Sequence, residues 1–168
     1  MAGLYFEDFK VGQVFGSARS IRVEKDEIIA FAKKYDPQFF HLDEETARHS
    51  IFGGLVASGW LTAALTMRLL TEREAKPAGG SIGLGFEELR WPIPVRPGDE
   101  LRIESEILAV RPSKSRPDRG LVKMRTRTFN QHGQVVQEIV NIALVPRQPP
   151  AGNDKADAAR STPERPAV

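Results

Sequence analysis

The stretch IFGGLVASGWLTAALTMRLL constrains this chain more than any other. Two glycines and a Ser-Gly pair lead into a nearly all-apolar run from Trp60 to Leu70. A run that is apolar on most sides has no polar face to give to water, so it reads as a helix buried by the rest of the fold. It is too short to span a bilayer, which takes about 20 apolar residues. A chain of 168 residues, 40% of them hydrophobic, supplies one core around such a helix and is short for two. The remaining segments supply the rest of that core.

Those segments read mostly as strands. Val11 to Val23 alternates loosely and is bounded by Gly12, which predicts a first strand. Ile28, Ile29, Phe31 and Ala32 then cluster on one face of a short helix with acids in its first turn. That helix must stop before Pro37, because proline disfavours helical geometry at the residue preceding it. Asp43, followed by Glu44 and Glu45, predicts the N-cap of another short helix reaching His49. After the apolar helix, GSIGLGFEELRWPIPVRPGDE carries Trp91, Pro92, Pro94 and Pro97 in an extended setting that closes on a Pro-Gly-Asp turn. Leu101, Ile103 and Ile107 alternate with Arg102, Glu104 and Glu106, as a half-buried strand requires. Leu121 to Phe129 and Gln134 to Val145 read as two further strands joined by a hairpin at Asn130 to Gly133. Roughly five strands and one long buried helix make an α+β domain, expected over residues 1–146. From 147 to 168 the composition shifts to Pro, Ala, Gly and charge without an aromatic residue, which predicts a flexible tail.

Charge and cysteine narrow the partners. The net charge is +2 and no block of five or six like charges is present, so a nucleic-acid partner is not expected. A small molecule or a second copy of the chain is expected instead. The absence of cysteine removes disulfides, thiolate metal sites and a cysteine nucleophile, which suits a reducing cytoplasm. The opening MAGLYFEDFKVGQ has no continuous apolar run of the kind a signal peptide needs, and no membrane association is expected.

The chemistry concentrates in two places. In YDPQFFH, Tyr35 to His41, a carboxylate and an imidazole share one short loop and can both reach a single water. Spacing alone also allows Asp36 to cap a turn and His41 to be a satisfied histidine. Ser58 and Gly59 stand at the start of the apolar helix, where unpaired backbone N–H groups and the helix dipole favour negative charge. A glycine there lets a ligand carbonyl approach those donors, as an oxyanion hole requires. An ordinary N-cap with a glycine admitted for close packing is the bland alternative.

YDPQFFH, then GGLVASGWLTAAL with its Gly59 eighteen residues after the histidine, then GSIGLGFEELRWPIPVRPGDEL, together resemble the MaoC-like dehydratases, relatives of the R-specific enoyl-CoA hydratases. The similarity runs from about Phe6 to Val145. The resemblance implies a hot-dog fold, an antiparallel sheet wrapped around a long central helix. It puts Asp36 and His41 on the two catalytic positions and Gly59 on the glycine whose N–H is the proposed oxyanion donor. Gln38 stands where the family has asparagine, Ser58 where it often has histidine, and Phe39 and Phe40 replace a proline-containing pair. Gln38 keeps an amide that can bond the loop or the substrate, one methylene longer.

The resemblance further implies reversible addition of water to a trans-2-enoyl-CoA, giving an (R)-3-hydroxyacyl-CoA, by a homodimer whose acyl-CoA binds near the subunit boundary. No cofactor or metal is expected, coenzyme A being part of the substrate. Phe39, Phe40, Phe52 and Trp60 are candidates to line the acyl pocket. The basic run RPSKSRPDRGLVKMR offers Arg116 and Arg119 to the CoA phosphates, or is simply a solvated hairpin. His49 and His132 have no matching partners and read as surface residues, and Tyr5, Phe6 and Phe9 as packing. Two other activities share such a fold. One is acyl-CoA thioester hydrolysis, against which the paired histidine argues. The other is acyl-CoA binding without turnover, against which the retained dyad argues.

Overall fold

The computed structural model describes residues 3–73 and 76–149. A 3-10 turn at Phe6–Asp8 opens the chain. Strands β1 (Val14–Gly16) and β2 (Ile21–Arg22) follow, then helices α1 (Lys25–Tyr35), α2 (Phe39–Leu42), α3 (Glu44–Ala47) and α4 (Gly59–Glu72). Four longer strands complete it: β3 (Ile82–Arg90), β4 (Glu100–Pro112), β5 (Arg119–Phe129) and β6 (Val135–Pro146). All pair antiparallel in the order β1-β4-β5-β6-β3, with β2 also on β4. This sheet around α4 is the hot-dog arrangement.

The core explains the wrapping. Leu61, Leu65 and Leu69 of α4 are 3% exposed or less, and they pack with Ile21, Leu101, Ile103 and Val136 of the sheet side. Strand β5 alternates strictly between half-buried and buried positions, so one of its faces lies against the core. A second cluster, Phe9, Ile107, Val122, Met124 and Val145, fills the far end, where Phe6 packs against it. Phe6 and Phe9 are therefore packing residues as expected.

Several expected elements shift. Val11 to Val23 is two short strands interrupted at residues 17–20, because β4 pairs separately with each piece. Helix α4 is buried on one face only: Trp60 is 58% and Met67 49% exposed. The extended segment after it is strand only as far as Arg90, and Trp91 onward is irregular. His41, expected on a loop, lies on the one-turn helix α2. The α1 stop before Pro37 and the Asp43 cap, which accepts from Thr46 N at 2.8 Å, match the expectation, although α3 ends at Ala47. His49 and His132 are exposed.

The expected tail lies outside the described residues from 150 onward. At its start Arg147 Nε donates to Glu7 Oε1 at 2.8 Å and Gln148 N to Glu7 Oε2 at 3.0 Å. Among the described residues no helix is long and apolar enough to cross a membrane, and no group of three or more His, Cys, Asp or Glu could hold a metal ion.

Candidate active site

Three connections bring the site together. Helix α1 ends at Asp36, whose N–H still bonds Ala32 O while its φ of −148° and ψ of 70° turn the chain away from the helix. Gln38 then starts α2, whose single turn places His41 inward at 5% exposure. The segment before α4 is pinned between them: Val56 N donates to Phe40 O at 3.2 Å, and Ala57 N to Val95 O at 2.8 Å. The start of α4 is thereby delivered to the side of α2.

The bonds around Asp36 are specific to each oxygen. Ser58 Oγ donates to Oδ2 at 2.7 Å, and Gln38 Nε2 donates to Oδ1 at 2.9 Å. Ser58 Oγ also accepts from Trp60 N at 3.2 Å, so one hydroxyl caps α4 and bonds the carboxylate. The bond from Ser58 is the largest cause holding Asp36 below its ordinary 3.8. Burial pushes the other way, while Gln38 and the charge of His41 add to the lowering. The glutamine in the asparagine position thus reaches the carboxylate itself.

His41 is fixed from its other side. Nδ1 lies 2.7 Å from Val56 O, and since a carbonyl oxygen only accepts, Nδ1 carries the hydrogen. Nε2 then faces Asp36 Oδ2 at 3.4 Å, long for a direct hydrogen bond and short enough for one water to reach both atoms. Phe40 packs edge-on against the imidazole, with ring centroids 4.6 Å apart, and against Phe52 at 5.1 Å.

Asp36, His41, Gln38, Phe40, Phe52, Ser58, Gly59 and Trp60 all line one cavity of about 470 Å³. Phe39 does not: it is 50% exposed and lies edge-on against Phe40, behind the wall. Arg116 and Arg119 do not line it either; Arg119 borders a separate hollow and lies 3.4 Å from Asp118. Much of the basic run is already paired, Lys123 with Glu87 at 2.5 Å and Arg125 with Glu106 at 3.5 Å.

Gly59 is the first residue of α4, and among the described residues its N–H has no acceptor. Over it stands a residue the sequence reading had not placed in the site. A Cβ added to Gly59 would lie 2.7 Å from Cδ2 and Cε2 of Trp91, so the indole rests on the glycine backbone. Trp91 lines the same cavity and meets Trp60 edge-on at 5.5 Å. Its Nε1 donates to Oε1 of Gln137 at 2.7 Å, from a side chain that is wholly buried on β6. A tryptophan at a strand's end with prolines after it was the available signal. Gln137, on another strand, left none.

Comparison with known proteins gives the family and the fold. The family model described as MaoC like domain matches residues 8–127. A MaoC-like dehydratase from Rhodospirillum rubrum, known by its crystal structure, superposes with a TM-score of 0.83 at 57% identity, covering 88% of this chain and 99% of that one. An uncharacterized protein, YdeM of Bacillus subtilis, is 34% identical over 125 residues, 74% of this chain and 86% of its own length. An (R)-specific enoyl-CoA hydratase of Rhodospirillum rubrum is 30% identical over 142 residues, 84% of this chain and 92% of its own.

Proposed function

The chain belongs to the MaoC-like domain family, and on that premise we propose that it adds water reversibly to a trans-2-enoyl-CoA to give an (R)-3-hydroxyacyl-CoA. The observation that carries this reading is the facing of Asp36 Oδ2 and His41 Nε2 across 3.4 Å, in a cavity whose wall also holds the unpaired Gly59 N–H. The hydratase relative supports the same class of chemistry.

Two acceptors suit a water better than one. With Nδ1–H committed to Val56 O, the form of His41 that this step uses presents a lone pair at Nε2, and Asp36 presents an anionic oxygen. A water that gives a hydrogen to each keeps its own lone pair for C3 of the enoyl group. As the O–C3 bond forms, the electron pair of the C2–C3 double bond moves toward the thioester, and its carbonyl oxygen becomes the oxyanion held by Gly59 N–H. Asp36 takes one proton of the water and passes it to C2 as the carbonyl re-forms, while His41 Nε2 accepts a hydrogen bond from the hydrogen that stays on the new hydroxyl and so polarises the water. The bonds from Ser58 and Gln38 keep Asp36 ionised and ready to accept. They also make it a poor resting place for the proton, which favours passing it on.

A homodimer completes the reading. Strand β3 ends the sheet order, and its Ile82, Leu84 and Phe86 are 54%, 53% and 56% exposed. An apolar sheet edge of this kind favours pairing with a second copy. Arg116 and Arg119 enter the proposal only as ligands for the distal phosphates of CoA.

The test is a panel of trans-2-enoyl-CoA substrates followed by loss of the conjugated thioester absorbance, with chiral analysis of the product. Asp36→Asn and His41→Ala should each lower the rate by about 100-fold or more while circular dichroism shows that the variants still fold. Parent-like turnover in either variant rejects the assignment, and release of free thiol in place of hydration identifies a thioesterase.

A further inference from the structure

The reaction above uses Asp36, His41 and Gly59 and leaves a buried polar chain unexplained. Gln137 is 0% exposed, yet it is a polar side chain in a core that an apolar residue would fill at lower cost. Its Oε1 accepts from Trp91 Nε1 at 2.7 Å, and its Nε2 donates to Thr66 Oγ1 at 2.8 Å. Thr66 Oγ1 in turn lies 2.7 Å from Thr128 Oγ1, both threonines being fully buried. The chain crosses from β5 through α4 to β6 and ends on one atom at the cavity wall, the indole nitrogen. Its geometric effect is to fix where the Trp91 ring lies.

The ring lies on Gly59 so closely that a Cβ there would enter it. A thioester carbonyl bonded to Gly59 N–H would therefore sit beside the indole face. Only two substituents flank that carbonyl carbon, the sulfur and C2. We infer that Trp91 is a specificity-determining residue, a wall held by Gln137 that limits bulk at C2 of the acyl group and so selects thioesters unbranched beside the carbonyl. Gln137 is then a positioning residue that acts through the indole. This rests on the reading of Gly59 as the carbonyl's donor.

The test compares trans-but-2-enoyl-CoA with its 2-methyl derivative on the parent protein, Trp91→Ala, Trp91→Phe and Gln137→Leu. The parent should favour the unbranched substrate in kcat/KM by about 10- to 200-fold, the range one methyl group commands in a shaped apolar pocket. Trp91→Ala should cut that preference by about tenfold or more. Gln137→Leu, which leaves the indole but removes its acceptor, should cut it part of the way and lower kcat more than it changes KM. An unchanged ratio with both substrates slowed by the same factor would mean that Trp91 only supports the fold, and overturns the inference. Should Trp91→Ala not fold, Trp91→Phe gives the same ratio with a smaller ring and no Nε1. If the parent hydrates neither thioester, the hydratase reading fails by itself. The wall is then tested by calorimetric titration of butanoyl-CoA and 2-methylbutanoyl-CoA into the parent and Trp91→Phe. Equal preference in both proteins, or binding of neither thioester, overturns it.

Discussion

At the scale of single residues, Ser58 accounts for more of the site than its size suggests. Its hydroxyl accepts from Trp60 N and donates to Asp36 Oδ2, joining the start of α4 to the end of α1. Asp36 is therefore held below 3.8, chiefly by that bond. A carboxylate depressed in the folded state binds fewer protons there than in the unfolded chain. Its contribution to stability is thus complete above the unfolded value of about 3.9 and is lost as pH falls through the folded one. Ser58→Ala should raise the Asp36 midpoint and narrow that window, whereas Ser58→Thr, which keeps a hydroxyl, should restore most of it. Carboxyl carbon chemical shifts followed against pH read both directly, and an unmoved midpoint in Ser58→Ala would remove Ser58 from this role. Spacing within one heptapeptide offered Asp36 and His41 as a pair but equally allowed a capped turn, and it was the Ser58-Gly59 helix start, at the interval the family shows, that favoured the pair. The Ser58 bond could not be read, because its partners are 22 residues apart and meet only after α2 and the Val56 segment have folded together.

At the scale of elements, legibility followed periodicity. Strands β4 and β5 alternate between more and less buried positions over most of their length, so they were visible before folding, whereas β6 does not alternate and was read together with the hairpin that precedes it. Helix α2 was not visible: its four residues carry no repeat, and it forms because the Phe40, His41 and Phe52 rings pack and Val56 bonds both Phe40 and His41. The nearly all-apolar look of α4 predicted a buried helix, yet its sequence does not reveal that Trp60 and Met67 face outward. The inward face is a different matter. Leu69 is 1% exposed within the core cluster, so Leu69→Ala should cost about 2–5 kcal/mol through lost contacts and an unfilled cavity. Denaturant unfolding measures it, and a loss below 1 kcal/mol would show that the core closes over the gap.

At the scale of the whole molecule, one buried helix and a count of strands made an α+β domain legible, the hot-dog arrangement came with the family resemblance, and the edge of the sheet was not legible at all. Which strand lies last depends on pairings between residues far apart, such as Ile82 with Leu144 and Arg119 with Pro146. Once β3 is known to be that edge, its exposed Leu84 becomes a test of assembly: Leu84→Lys should convert a dimer to a monomer in sedimentation equilibrium, since edge lysines oppose strand pairing. A monomeric parent would end the proposal of a homodimer. The distribution of charge carries one more consequence. The outer side of the sheet pairs Lys123 with Glu87 and Arg127 with Glu138, full charges that solvent reaches. Asp36 is instead held first by the neutral hydroxyl of Ser58 and the neutral amide of Gln38. Ions in solution screen exposed charge pairs over about 10 Å at 0.1 M and act far less on short bonds to neutral donors. Rising ionic strength should therefore weaken the surface ion pairs of this molecule while leaving the ionisation of Asp36 nearly where it was, so the charge of the candidate site should answer to salt less than the exterior does.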